Sequence, residues 1–332
     1  MNPTGLGDRA HLFLNQRQNA GIRTRLDLKS QELASGVAHD MVAHLRGDTA
    51  RLADLDRRLF LAGSYGSAAR EVGNRLSLMQ DTLDQVAGSQ AGLLKNLMDP
   101  AIVGDRSIAA RAAGTTFSEI VSALNTSLGG EALFAGTGSN GAALASVEDM
   151  LADIRSAVAG SADATEVAAR LDTWFDTPGG GFDTMGYLGE DADTMRIVDE
   201  GDTVTIGIRA DDPSLRGLLK AAALGVLAKE PSLSLSDSEG EALIVRSRDA
   251  LLSLGTSLTE VQGEIGQAQE RVEATVARHA ARATAWGLMR NEMTQVDPYA
   301  TASEIEALRT QLETHYELTS RLSSLSLVSY LR

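Results

Sequence analysis

Residues 251–272 read LLSLGTSLTEVQGEIGQAQERV, and their spacing decides the fold class. Leu251, Leu254, Leu258, Val261, Ile265, Ala268 and Val272 recur in alternating steps of three and four, which places them in one line along a helix for about three heptads. A helix with such a seam buries it against a second helix. The chain supplies a candidate in Leu76, Met79, Leu83, Val86, Leu93 and Leu97, with Gln90 alone interrupting the apolar line. A third periodic run begins Leu45, Leu52, Leu55, Leu59, and the last carries Ile305, Leu308, Leu312, Tyr316 and Leu322. Proline placement allows these helices their length, because a proline inside a helix removes a donor and clashes with the preceding turn. The six prolines leave 4–99 and 232–297 free. The expected fold is mainly α: an elongated, coiled-coil-like helical bundle built from both chain ends.

The middle of the chain differs in kind. Between Ser146 and Ser214 lie 16 acidic and 4 basic residues, so this segment carries −12 of the formal charge of −15. Within it, TPGGGFDTMGYLGEDAD breaks helix with glycine and proline, while MRIV and TVTIGIRA read as short strands around the turn DEGD. A small acidic domain with α and β elements therefore interrupts the bundle. The expected divisions are a terminal-helix unit, 1–35 with 300–332; a helical rod, 36–140 with 215–299; and an acidic outer insert, 141–214.

Composition narrows the function. The 332 residues include no cysteine, which removes disulfides, thiolate metal sites and cysteine nucleophiles. The negative charge repels phosphate backbones and anionic headgroups, so neither nucleic acid nor a membrane is an expected partner. No stretch approaches 18 apolar residues, and the charged N-terminus lacks the apolar run of a signal peptide. Gly136 to Gly141, GTGSNG, fits G-x-G-x-x-G in letters only, since it follows a helical pattern rather than a strand and reads as a flexible turn. His39 and His44 stand five apart, on different faces of a helix, and are expected to be solvated residues rather than metal ligands. Arg271, Arg278, His279, Arg282 and Arg290 are interleaved with Glu270, Glu273 and Glu292, as on an ordinary charged helix face. With no nucleophile elbow, Walker loop or metal constellation, no enzyme activity and no cofactor are expected.

One stretch is more specific. Phe117 to Thr137 reads FSEIVSALNTSLGGEALFAGT, an amphipathic helix running into Asn125, Thr126, Gly130, Leu133, Phe134, Gly136 and Thr137. It resembles the helix-to-turn motif N-T-x-x-x-G-x-x-L-F-A-G-T of hook-associated protein 3, the hook-filament junction family of the flagellin superfamily. Ala132 stands where that family usually has a bulky residue. The C-terminus, DPYATASEIEALRTQLETHYELTSRLSSLSLVSYL from Asp297 to Leu331, is similar to the family's last helix. LASGVAHDMVAHLRGDTA is similar to its S-G turn, with Gly47, Asp48, Thr49 in place of Asp-Asp-Pro. Together the likeness covers about four-fifths of the chain and leaves out the acidic middle.

The resemblance implies a non-enzymatic structural adaptor that forms a ring of copies. The ring joins the hook, through the first junction protein, to the flagellin filament. It implies terminal helices that order against neighbours, with Leu308, Leu312, Leu322, Leu325 and Leu327 as the surface met by other subunits or by an export chaperone. Passage through the flagellar type III export apparatus, to an extracellular place without a cleaved signal, follows from the same likeness. A flagellin-type filament subunit is the nearest alternative; a cytoplasmic helical signalling bundle is a more distant one.

Overall fold

The computed structural model describes residues 4–99, 105–138 and 141–330, with side chains placed between 13 and 321 of these. The chain is mainly α-helical, with two small antiparallel hairpins among the described residues. Two compact units divide it: 1–63 with 281–332, and 64–280. Both boundaries fall inside long helices, α3 (Ala50–Met98) and α8 (Asp237–Thr294).

In the larger unit the two sequence seams meet antiparallel. Gln90 Nε2 donates to Leu251 O at 2.8 Å and Gln262 Nε2 to Asp84 Oδ1 at 2.7 Å, while Gly73 packs beside Val272 and Gly66 beside His279. Leu76, Met79, Leu83, Val86, Leu93 and Leu97 are buried, as are Leu251, Leu258, Val261, Ile265 and Val272; Leu254 is half-buried. Two shorter helices complete the bundle. Helix α4 (Arg106–Leu124) is capped by Asp105, whose side chain accepts from Ser107 N. Helix α7 (Pro213–Leu227) starts on an Asp212 cap with proline in its first turn, where a missing N–H costs nothing. Gly225 lets α7 approach α4: a Cβ there would lie 2.6 Å from that of Ala113.

The acidic segment packs onto this bundle and shares its core. It contains α5 (Val147–Val158), capped by Ser146, and α6 (Ala164–Asp176), capped by Asp163. A short π-helical turn, Phe182–Gly186, follows. Trp174, Phe175 and Phe182 pack together, with ring centroids 4.5 to 6.1 Å apart, and Trp174 Nε1 donates to Asp153 Oδ2. The two strands expected from the alternation are β3 (Thr194–Asp199) and β4 (Asp202–Ile206), turning on Gly201 with φ of 74°. Val198 is left out of their register as a bulge, and its carbonyl accepts from His279 Nε2 on α8 at 3.1 Å. His279 is thus a buried structural donor, unlike the other members of the charged face to which its sequence neighbours assigned it.

The smaller unit holds α1 (Thr4–Ser35), the single-turn α2 (Met41–His44), the start of α3, the end of α8 and α9 (Pro298–Tyr330). Helix α9 begins on an Asp297 cap, whose Oδ1 accepts from Tyr299 N and Ala300 N. The connection after α1 is tied to the α8–α9 junction by Ala38 N to Thr294 O, 2.9 Å, and Val296 N to Gly36 O, 3.0 Å. The third periodic run does not form one helix. Arg46 and Gly47 take φ of 53° and 88°, which ends the helical path between Leu45 and Leu52.

Candidate assembly interface

The residues of the 125–137 motif are brought together inside the larger unit, where they hold the end of α4 to the start of the acidic segment. Asn125 follows the last helical residue. Its Nδ2 donates to Leu144 O at 3.0 Å, and its Oδ1 accepts from Leu144 N at 2.7 Å. Both polar groups of that buried residue are thereby satisfied by one amide. Thr126 O then accepts from Leu133 N across a hairpin of β1 (Ser127–Leu128) and β2 (Glu131–Ala132). Gly129 and Gly130, with φ of 62° and 88°, form its two-residue turn, the positive-φ pair that matches strand twist. Leu133 and Phe134 enter the core.

Gly136 closes the motif at φ of 63°, where a Cβ would meet Glu190 O at 2.3 Å and Ala192 O at 2.7 Å. Thr137 bonds the same segment, N to Ala192 O at 3.1 Å and Oγ1 to Glu190 Oε2 at 2.6 Å. The GTGSNG turn is therefore held at Gly136 and Thr137, where irregular backbone from 188 to 193 packs directly on it. Ser139 and Asn140 lie outside the described residues. Next to this turn, burial and the Asp211 carboxylate push the Tyr187 phenol well above its ordinary pKa, and its hydroxyl donates to Glu190 O.

The second set of predicted residues lies on α9, which pairs with α1. Ile305 and Ile22 are buried in this pair; Leu308 and Leu312 are half-buried. Leu322, Leu325 and Leu327 belong to the helical backbone, but their side chains lie outside the described residues. Lys29 Nζ bridges Glu32 and Glu304, both at 2.9 Å. Hydrogen bonding to Glu32 and then to Glu304 raises the Lys29 pKa. Burial pushes the Glu32 carboxyl up, but Lys29 and the His39 N–H outweigh it and hold its pKa below the ordinary value. Sequence reading missed this ion set, although Lys29 and Glu32 stand at the i, i+3 spacing that marks a helix pair. Arg23 also reaches the Tyr316 hydroxyl, with its guanidinium 5.7 Å from the ring centroid.

Burial in this unit is thin. Among its described residues, the apolar side chains that are buried are Ile22, Ala38, Leu55, Ala62, Val296 and Ile305. Phe13, Phe60, Leu288 and Tyr299 are 65 to 85% exposed.

Among the described residues no group of three or more His, Asp or Glu could hold a metal ion, and His39 and His44 are exposed. No described helix is long and apolar enough to cross a membrane.

The geometry agrees with what the chain is similar to. Residues 249–331, which take in most of α8 and all of α9, match the bacterial flagellin C-terminal helical region. This stretch contains the 251–272 run of the larger unit's seam and the last helix of the smaller. That match spans the C-terminal quarter of the chain. Its fold is shared with a Vibrio parahaemolyticus protein described as a flagellar hook-associated protein: TM-score 0.51 at 16% identity, covering 74% of this chain and 96% of that one. No curated protein matches the chain. The match to the flagellin region supports a structural role in the flagellum, and the likeness at 16% identity shows the fold.

Proposed function

We propose that the chain is the adaptor of the hook-filament junction: copies form a ring through their terminal helices, binding the first junction protein on the hook side and flagellin on the filament side. The observation that carries this reading is the thin core of the terminal unit. A helix pair with so few buried apolar side chains offsets its ordering entropy poorly alone and gains most from neighbours. Leu308 and Leu312 belong to that surface on α9, and Leu322, Leu325 and Leu327 continue it in the sequence. Before assembly the same leucines would be covered by an export chaperone, as an amphipathic helix in a groove, and the chain would pass through the type III export apparatus. In this scheme 1–35 with 300–332 is the inner assembly part, 36–140 with 215–299 the rod and 141–214 the outer part. The motif from Asn125 to Thr137 favours the junction protein over a flagellin filament subunit; the match of 249–331 to flagellin keeps the filament reading as the alternative.

The test pairs stability with assembly. Leu308→Ser with Leu312→Ser should leave the melting of the larger unit nearly unchanged. Cells carrying the double variant should make hooks, lack filaments and shed flagellin into the medium. Filaments that still assemble, or a larger unit that unfolds with the substitutions, would overturn the adaptor reading. Labelled wild-type chain found along the filament rather than at its base would favour the filament subunit.

A further inference from the structure

The β3–β4 hairpin of the larger unit is paired in a register that its own side chains do not favour. Thr194 lies opposite Ile206, Met195 opposite Thr205, Arg196 opposite Val204 and Ile197 opposite Thr203; the register then shifts by one residue at Val198, and Asp199 meets Asp202. Residues directly opposite share a face of the hairpin, so the buried Val204 and Ile206 stand with Arg196 and Thr194. Met195 and Ile197 point the other way and are 69% and 62% exposed. Without the bulge, Val198 would pair with Thr203, Ile197 with Val204 and Met195 with Ile206. A shift of one residue turns every side chain of the stretch over. Met195, Ile197, Val204 and Ile206 would then share the inner face, with Thr194, Arg196, Thr203 and Thr205 outside, which is the alternation expected of a hairpin packed on one side.

The bulged register is held from outside the ladder. His279 Nε2 donates to Val198 O at 3.1 Å, Arg196 Nη2 to Glu131 Oε2 at 2.5 Å and Thr194 Oγ1 to Gly136 O at 2.9 Å. Val198 is buried and would turn outward in the regular register. The turn contributes as well. A bulge-free two-residue turn calls for positive φ at both central residues; Gly201 has 74°, and Glu200 does not share it. Space for an exchange lies beside β3, in a cleft of about 520 Å³ whose lining includes Arg75, Leu128, Arg196 and Ile197. Burial of two large apolar side chains thus stands against three hydrogen bonds, one valine and a turn, and these are of the same order. We propose that the hairpin is a two-register switch in which β3 turns over about its own axis. The structure shows the register that displays Met195 and Ile197; the other withdraws them. His279 is its latch, because the bulge is what presents Val198 O to α8.

Since the full chain has no cysteine, introduced thiols report the register without background. Met195→Cys with Thr205→Cys are opposite in the bulged register, and Met195→Cys with Ile206→Cys in the regular one; oxidation by copper phenanthroline traps whichever pair meets. In the otherwise unchanged chain the first pair should close in higher yield. Glu200→Asn, at an exposed position, completes the Asn-Gly pair that a bulge-free turn favours. It should raise the yield of the second pair about ten-fold and lower that of the first, and His279→Phe should act in the same direction. Ile197→Cys alone gives a readout free of crosslink geometry. A water-soluble maleimide should label it quickly, and several-fold more slowly with Glu200→Asn. The proposal fails if the 195 and 206 thiols stay unlinked in the Glu200→Asn chain, or if labelling at 197 is unchanged by that substitution. Faster labelling at 197 would mean that the hairpin frays instead of turning over, and would overturn it as well.

Discussion

Replacing Asn125 with alanine should cost more than its half-buried position on a helix end suggests. The side chain makes two bonds, to Leu144 O at 3.0 Å and from Leu144 N at 2.7 Å, and Leu144 itself is 1% exposed. Alanine leaves a buried N–H and a buried C=O without partners. Stranding each such group costs about 1 to 3 kcal/mol, and water reaching the half-buried side relieves part of this. The expected loss is about 2 to 4 kcal/mol, read by urea denaturation with the slope against denaturant unchanged. Ser122→Ala, on the exposed face of the same helix, should stay within about 0.5 kcal/mol of the parent. If Asn125→Ala is no worse than Ser122→Ala, the clamp contributes nothing and the motif is not the structural joint described above.

Gly136→Ala should be more damaging, about 3 to 5 kcal/mol in the same assay, because the added carbon lies 2.3 Å from Glu190 O in a backbone conformation that alanine resists. Leu258→Ala or Ile265→Ala should cost about 2 to 5 kcal/mol, against about 0.5 kcal/mol or less for Glu260→Ala or Glu264→Ala off the seam; equal costs at both kinds of position would show the register to be wrong. The Lys29 and Glu32 pair predicts a pH window. The folded-state pKa of Glu32 lies below 4.5, so its contribution is present above that value and lost as the pH falls through the depressed one. That of Lys29 lies above 10.5, so its contribution is present below that value and lost as the pH rises through the raised one. The protection of amides at 22–32, corrected for the intrinsic exchange rate at each pH, should fall on acidification, and Glu32→Gln should flatten the response.

The seams were legible because burial on a helix has a period that sequence displays directly: every apolar member from Leu76 to Leu97 is buried, and so is the run from Leu251 to Val272 apart from the half-buried Leu254. The β3–β4 hairpin was legible for the same reason, through alternation and the Gly201 turn. The joint at Asn125 was visible only as a family likeness. Its partner is the backbone of Leu144, and a backbone group has no letter of its own. The hairpin turn at Gly129 and Gly130 had a local signal, two adjacent glycines between short β-capable pairs, that the helical pattern around it masked. His279 looked like one more charged residue on a helix face, since nothing local announces that a bulged strand will present a carbonyl to it.

Gln90 first reads as a flaw in an apolar line, yet its amide holds the carbonyl of Leu251 on the facing helix. Apolar side chains along two long helices tolerate being slid past one another by a heptad, since leucine meets leucine again. A buried amide does not, because the slide would part it from its one acceptor. Gln90 therefore works as an indexing pin: it gives up some apolar burial and in return makes one axial alignment of the two helices cheaper than its neighbours. Each time the chain folds, such a pin selects the correct pairing from a ladder of near-equivalent ones.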